Sequence, residues 1–225
     1  MIAAVIVAGG SGLRMGGDTR KQYMELNGRP ILSHTLAAFD RVVGVDRIVL
    51  VVPAEDMDYC ENRIVPNSLF AVEARMVAGG AHRQESAYNG LLEAEGAEIV
   101  AIHDGVRPFV TTDQIEKTIE TARSRGAATL AVRAHDTIKR VDRAGKVLST
   151  LDRNALWLAQ TPQAFRYDII RQAHEKARND RWQGSDDAVL VERMGHPVHV
   201  VEGSRRNIKI TTPEDLEMAA GVSLC

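Results

Sequence analysis

The chain has 225 residues, 44% hydrophobic and 26% charged, a size that suits one sizeable α/β domain spanning 1–225 and leaves little for a second. Its formal net charge is −2 with basic residues spread along the chain, so the electrostatic footprint of a nucleic-acid or anionic-membrane binder is missing. The two cysteines, Cys60 and Cys225, have neither metal spacing nor a disulfide framework, and the N-terminus has no basic segment and no long apolar run, so a soluble cytoplasmic protein with inert thiols is expected.

The first apolar run, Ile2 to Val7, is short and β-rich and predicts a buried strand. It leads into Val7-Ala8-Gly9-Gly10-Ser11-Gly12-Leu13-Arg14-Met15, with Lys21 seven residues after Arg14. Glycines at a strand end let backbone N–H groups approach phosphate oxygens without obstruction by a Cβ. Arg14 and Lys21 add two cations, which oppose a triphosphate and stabilise charge at an α-phosphorus under attack. Two better-known glycine motifs do not fit. A dinucleotide fingerprint needs glycine or alanine where Met15 stands, and a P-loop needs Gly-Lys-Ser/Thr where the chain has Gly17-Asp18-Thr19. A flexible β-to-α turn accounts for the glycines alone equally well; Arg14, Lys21 and the later motifs favour the nucleotide clamp.

Further apolar runs at Arg47 to Val52, Glu73 to Val77, Glu98 to His103, Ala127 to Val132 and Val198 to Val201 predict strands. Helical segments fall between several of them, at Pro30 to Phe39, Gln84 to Glu93 and Thr112 to Arg125, the first opened by a proline suited to a first turn. This alternation predicts a largely parallel sheet flanked by helices, with ligands beyond the carboxyl ends of the strands. A second glycine turn, Gly79-Gly80-Ala81-His82-Arg83-Gln84-Glu85-Ser86, enters a helix. Its backbone can read a base edge with Ser86 adding a hydroxyl, or its glycines serve only the turn.

His103-Asp104-Gly105-Val106-Arg107-Pro108 ends another strand. Asp104 is a seat for Mg²⁺ or another hard divalent cation, which takes one or two carboxylates plus phosphates and keeps several waters; read alone, it is equally a turn former pairing with Arg107. His103 reads as a packed residue, since no second histidine stands near it. Between His135 and Leu158 the alternation breaks, and Asp136 to Val147 reads as a polar β-hairpin around Ala144-Gly145 with little to bury alone. An arm packing on another subunit is expected. A closing helix is predicted from Thr212-Pro213-Glu214-Asp215, with threonine as cap and acids at the positive end of the dipole.

Asp152-Arg153-Asn154, Thr161-Pro162-Gln163, Ser185-Asp186-Asp187 and Asn207-Ile208-Lys209 supply further hydroxyls and cations. Singly they are ordinary: Ser185 with Asp187 reads as a helix start and Thr161-Pro162 as a loop. Together they suit a phosphorylated polyol, which demands several hydrogen-bonding groups and at least two cations. The chain has no Gly-x-Ser-x-Gly elbow and no His-Glu-x-x-His, so a direct displacement resting on positioning and charge neutralisation is favoured.

These stretches, with Lys21-Gln22-Tyr23, Asp136-Thr137-Ile138-Lys139-Arg140, Asp152-Arg153-Asn154-Ala155-Leu156-Trp157, Gln160-Thr161-Pro162-Gln163 and Asn207-Ile208-Lys209-Ile210-Thr211-Thr212-Pro213, resemble the 2-C-methyl-D-erythritol 4-phosphate cytidylyltransferase family nearly end to end. The resemblance implies a Rossmann-like nucleotidyltransferase fold with a protruding β-hairpin arm at about 134–158, and a homodimer whose arms interlock. It implies CTP and a polyol phosphate as substrates. Ala8, Gly9, Gly10, Gly12, Gly80, Ser86 and Gly105 would frame the nucleotide, with Arg14 and Lys21 on the triphosphate and Asp104 on Mg²⁺. Arg107, Thr137, Arg153, Thr161, Ser185 and Lys209 would bind the acceptor beside Asp104, Arg153 and Lys209 acting directly in catalysis and some of these residues coming from the neighbouring arm.

Three positions depart from the family pattern. Ala81 stands where an aspartate is common, Ser185 where threonine is usual, and Gly105 where some relatives have alanine. Ribitol 5-phosphate cytidylyltransferases share the first half of the motif set, although the segment from Asp152 to Trp157 leans against them. A sugar 1-phosphate nucleotidyltransferase would be distinguished by its nucleotide preference. A non-catalytic nucleotide-binding regulator would hold CTP without turnover, which intact Arg14, Lys21 and Asp104 oppose.

Overall fold

The opening run forms strand β1 (Ile2–Val7), and its neighbours explain why it is apolar on both faces. In this computed structural model, which describes residues 1–10, 19–66 and 71–222, β1 lies between β4 (Val45–Val52) and β6 (Ile99–Asp104) and runs parallel to both. Ala4 and Ile6 bury with Ile48, Leu50 and Val52 against α1 (Ile31–Asp40), α2 (Met57–Arg63) and α4 (Thr112–Arg125). Ala3 and Val5 bury with Val49, Val51, Val100 and Ile102 on the opposite face, against α3 (Arg83–Glu93), α5 (Tyr167–Asn179) and α6 (Ala188–Arg193). Because side chains alternate across a strand, a sheet covered on both faces needs apolar residues at every position.

Among the described residues the main sheet has seven strands. With β5 (Glu73–Ala78), β7 (Ala127–Arg133), β10 (Trp157–Arg166) and β11 (His199–Glu202), their order is β11-β7-β10-β6-β1-β4-β5. Every pairing is parallel except those of β10, which runs antiparallel to β6 and β7. The six strands expected from apolar runs are present with ends shifted by a residue or two, and the expected helices match α1, α3 and α4.

The strand β10 corrects the loop expected at Thr161-Pro162. Gln160, Thr161 and Gln163 are buried within it, and no apolar alternation marks them. The strand tolerates them because their polar atoms are satisfied: Gln160 Nε2 donates to the Ser204 carbonyl at 2.9 Å, and Gln163 Oε1 accepts from the N–H groups of Asp187 and Ala188 at 3.1 and 3.0 Å. The pairing with β7 shifts register between Ala159 and Gln163. The helix start read at Ser185 begins at Ala188, with Asp186 Oδ1 accepting from Val189 N at 3.0 Å.

Among the described residues two smaller hairpins lie outside the main sheet. β2 (Glu25–Leu26) and β3 (Arg29–Pro30) join through Asn27 and Gly28, both at positive φ, the two-residue turn that matches strand twist. β8 (Lys139–Val141) and β9 (Val147–Thr150) form the expected arm, turned by Gly145 at φ 81° while Asp142 Oδ1 accepts from Ala144 N and Lys146 N. The arm is less polar than its charge run suggests, since Val141, Val147, Leu148, Leu151 and Leu158 are all exposed. The last helix, α7 (Pro213–Ala220), starts as expected, Thr212 and Asp215 forming a capping box. No helix among the described residues is long and apolar enough to cross a membrane. Cys60 is buried in the core, where desolvation pushes its thiol pKa up, and Cys225 lies outside the described residues.

Gly90 lets α3 lie directly on the sheet: a Cβ there would meet Val5 Cγ1 at 2.4 Å and Val51 Cγ2 at 2.8 Å. Gly90→Val therefore forces the helix off β1 and β4 and destabilises the fold by about 1–3 kcal/mol or more, the cost of overpacking a dense core. Thermal unfolding reads this as a lowered Tm. A wild-type Tm would show that the contact is not close.

Candidate active site

The turns that follow β1, β4, β5 and β6 surround a cavity of about 610 Å³ at the carboxyl edge of the sheet. Its wall includes Ala8, Gly9, Gly10, Lys21, Gly80, Ser86, Asp104 and Lys209, so eight residues expected at the site meet in space. Gln22, almost fully buried, braces the first turn: its Nε2 donates to the carbonyls of Ala8 at 2.9 Å and Gly10 at 3.3 Å. Ser86 Oγ braces the second by accepting from Gly80 N at 3.0 Å.

The glycines of the two turns are required by proximity. Neither Gly9 nor Gly79 has a left-handed backbone. A Cβ on Gly9 would stand 3.1 Å from Ser86 Oγ, and one on Gly79 would stand 3.0 Å from Ser86 Oγ and 3.4 Å from the Gly9 Cα. The turns therefore pack backbone to backbone with Ser86 wedged between them. Ala81, where the family pattern has aspartate, also lines the cavity, and its N–H donates to Glu85 Oε2 at 2.8 Å.

The charged centre of the site is Asp104, the last residue of β6 and only 6% exposed. Arg83 Nε donates to its Oδ1 at 2.9 Å, Lys209 Nζ to its Oδ2 at 2.9 Å, and Arg107 Nε stands 3.5 Å from Oδ2. Burial opposes the charge, but the three cations outweigh it and hold the carboxyl well below the usual carboxylate range. The group is ionised at every physiological pH. The Arg107 pair expected of a turn former is present, and Asp104 also lines the cavity.

Lys209 reaches Asp104 because its segment is anchored. Asn207 is fully buried, its Nδ2 donates to the Thr161 carbonyl at 2.9 Å, and its own carbonyl accepts from Arg107 Nη1 at 2.7 Å. Ile210 N then donates to the Val106 carbonyl at 3.0 Å. Arg107 is thus held behind Asp104 and is not on the cavity wall. Thr161 also stands behind, its buried hydroxyl accepting from Asp104 N at 3.0 Å. Gly105 is packed beneath: a Cβ would come within 2.9 Å of Leu32 Cδ1 and 3.0 Å of Ala8 Cβ. His103 is fully buried against Phe39 with Nε2 3.2 Å from the Arg107 carbonyl, and burial lowers its pKa to about 3, as a packed residue requires.

Thr137, Arg153 and Ser185 are exposed and do not line the cavity of their own chain. Arg153 Nη1 donates to the His135 carbonyl at 2.6 Å, at the base of the arm. Gly12 and Arg14 lie outside the described residues. Two cavity arginines were not picked out by sequence reasoning. Arg20 pairs with Glu55 and, at 3.1 Å, with Asp56. Arg83 opens α3 and bridges Asp104 to Asp187. The one signal for Arg83 was its place at the first turn of a helix entered from a glycine turn.

The family model described as 2-C-methyl-D-erythritol 4-phosphate cytidylyltransferase matches residues 2–222. A relative of that name from Geobacter metallireducens is 49% identical over 222 residues, covering 97% of this chain and 95% of the relative. One from Syntrophus aciditrophicus is 50% identical over 220 residues, covering 97% and 94%. The crystal structure of 4-diphosphocytidyl-2C-methyl-D-erythritol synthase from Anaerococcus prevotii superposes with a TM-score of 0.87 at 36% identity, covering 97% of this chain and 94% of that one. The Thermus thermophilus cytidylyltransferase structure gives 0.79 at 32% identity, covering 97% and 96%.

Asp187 and Asp104 tie the site to acid stability. Burial disfavours the Asp187 charge, but Arg83 and His174 overcome it and hold its pKa down to about 2. A carboxyl depressed in the folded state contributes stability that is complete above its ordinary pKa, about 4, and is lost as pH falls through the folded value. Denaturant midpoints should therefore fall steeply between pH 4 and pH 2. Asp187→Asn should lower the midpoint at pH 7 and flatten that fall, whereas an unchanged acid slope would separate Asp187 from the transition.

Proposed function

The chain belongs to the 2-C-methyl-D-erythritol 4-phosphate cytidylyltransferase family, and from that membership we propose how its residues divide the work. The reaction is transfer of the cytidylyl group of CTP to 2-C-methyl-D-erythritol 4-phosphate, giving 4-diphosphocytidyl-2-C-methyl-D-erythritol and pyrophosphate in isoprenoid precursor synthesis. A phosphate oxygen of the acceptor attacks the α-phosphorus of CTP. The bond from that phosphorus to the β-phosphate oxygen breaks, and pyrophosphate leaves with the electron pair.

The observation that carries the division of roles is the meeting of Lys21, Asp104 and Lys209 on one wall with the paired glycine turns. Cytosine and ribose would lie along Ala8, Gly9, Gly10, Gly80 and Ser86, with Gly105 packed beneath. Lys21, with Arg14, would oppose the triphosphate charge that grows at the α-phosphorus. Lys209 would draw the acceptor phosphate toward the line of attack, and its present partner Asp104 shows how far the ammonium reaches into the cavity.

Asp104 would fit a hard divalent cation such as Mg²⁺ once Lys209, now 2.9 Å from its Oδ2, turns away and leaves that ionised oxygen on the cavity wall. Among the described residues no cluster of three or more His, Cys, Asp or Glu side chains stands ready to cage an ion, and Mg²⁺ commonly takes one carboxylate with phosphates and waters. When bound, the ion would neutralise charge on the triphosphate. Arg83 and Arg107 would then keep the carboxylate placed while Lys209 turns to the acceptor.

Thr137 and Arg153 are exposed at the arm and do not line their own chain's cavity, which supports their acting on the acceptor in a neighbouring subunit of a homodimer; Ser185 is likewise exposed and off that wall. The exposed Val141, Val147, Leu148 and Leu151 give such an arm apolar surface to bury. The enzyme would thus be one unit over 1–225 with the arm as its dimerisation element, acting in the cytoplasm.

Pyrophosphate release with CTP and Mg²⁺, compared for 2-C-methyl-D-erythritol 4-phosphate, ribitol 5-phosphate and glucose 1-phosphate, tests the activity directly. Release with the first alone is expected, and preference for ribitol 5-phosphate would move the acceptor assignment. Lys21→Ala should lower kcat about 10²-fold or more, the scale for one lost transition-state donor; an unchanged kcat would remove Lys21 from that role. Deleting the arm between Ala134 and Ser149 should yield monomers by light scattering with a raised acceptor KM, and Arg153→Ala should raise the same KM in an intact dimer. A dimer that survives the deletion would place the interface elsewhere.

A further inference from the structure

Among the described residues Arg83 is the one on the cavity wall whose guanidinium serves two carboxylates from separate elements. Its Nε donates to Asp104 Oδ1 at 2.9 Å and its Nη1 to Asp187 Oδ2 at 2.8 Å, and both aspartate side chains are less than a tenth exposed. A planar fork bonded at two points has no freedom left to rotate. Its hold on Oδ1 fixes the plane of the Asp104 carboxylate and leaves Oδ2 as the oxygen shared with Lys209 at 2.9 Å.

Asp187 is equally constrained on its far side. Its Oδ1 is 3.1 Å from His174 Nε2, and its N–H donates to Gln163 Oε1 at 3.1 Å. The His174 ring in turn stacks on Tyr88 of α3, with centroids 6.0 Å apart. The turn that carries Ser185 and Asp186 is therefore anchored, two residues on, to the same guanidinium that sets Asp104.

We infer that Arg83 is a positioning residue for the transfer reaction, which orients the Asp104 carboxylate and couples it through Asp187 to the turn carrying Ser185. The inference rests on Asp104 being the working carboxylate of the site. In this role Arg83, although it lines the cavity, acts through Asp104. Lysine in its place keeps the charge but loses the planar fork whose Nε and Nη1 hold the two carboxylates at a fixed spacing.

The test uses the full chain, CTP with Mg²⁺, and 2-C-methyl-D-erythritol 4-phosphate. Arg83→Gln should lower kcat about 10²-fold, the scale for a misplaced reacting group, while the CTP Kd from titration calorimetry without acceptor stays within about threefold of wild type. Arg83→Lys should fall between the two in kcat. Asp187→Asn added to Arg83→Gln should cost nothing further, since residues acting as a unit are not additive. Circular dichroism melts establish that each variant is folded at the assay temperature, and if Arg83→Gln is not, Arg83→Lys and Asp187→Asn carry the same comparison. A wild-type kcat in the folded variants overturns the inference. So does a CTP Kd weakened tenfold at normal kcat, which would make Arg83 a nucleotide contact, and so does a multiplicative double variant. Asp104→Asn run alongside separates this inference from its premise: full activity there removes Asp104 from the site whatever Arg83→Gln does.

Discussion

A carboxylate buried at the end of a central strand cannot stand alone, because desolvation of an unpaired charge costs several kcal/mol. Asp104 is that carboxylate, and much of the polar interior follows from it. It draws Arg83 from the start of α3, Arg107 from the turn after β6, and Lys209 from the segment after β11. Each cation then needs its own support. Arg83 takes Asp187, Arg107 takes the Asn207 carbonyl, and Asn207 reaches into β10 to hold Thr161. This is why a strand in the middle of the sheet carries Gln160, Thr161 and Gln163.

The second constraint is steric. The turns after β1 and β5 approach until a single Cβ on either glycine would crowd Ser86. Strands β1 and β5 are not neighbours, since β4 lies between them, so the approach is made by the turns reaching over the end of β4. The resulting corner has little side-chain bulk and lines the same cavity as Lys21, Arg83 and Lys209. A ligand with a planar ring and several phosphates needs this pairing of bare backbone on one wall with charge on another.

The arm follows a different logic from the core. Its strands are short, its turn is organised by Asp142 and Gly145, and its valines and leucines remain exposed within one chain. Two isolated strands are marginal in water, so such a hairpin gains most of its stability from whatever covers it. Two of the residues assigned to the acceptor, Thr137 and Arg153, belong to the arm and do not line their own chain's cavity. Substrate recognition and subunit association would then draw on one element.

The sequence by itself determined the parallel core, because a strand covered on both faces must be apolar at every position, and runs such as Ile2 to Val7 announce this locally. It also determined the turn positions, the capped start of α7 and, through motifs nearly end to end, the family. β10 stayed hidden because its buried amides are paid for by partners distant in the chain, which leaves no periodicity to read. Tertiary structure alone decided that Lys209 meets Asp104, that Arg83 joins Asp104 to Asp187, and that Arg107 and Thr161 stand behind the cavity wall. Those facts depend on distances between segments that lie 21 to more than one hundred residues apart, and local chemistry carries no record of them until the sheet brings the segments together.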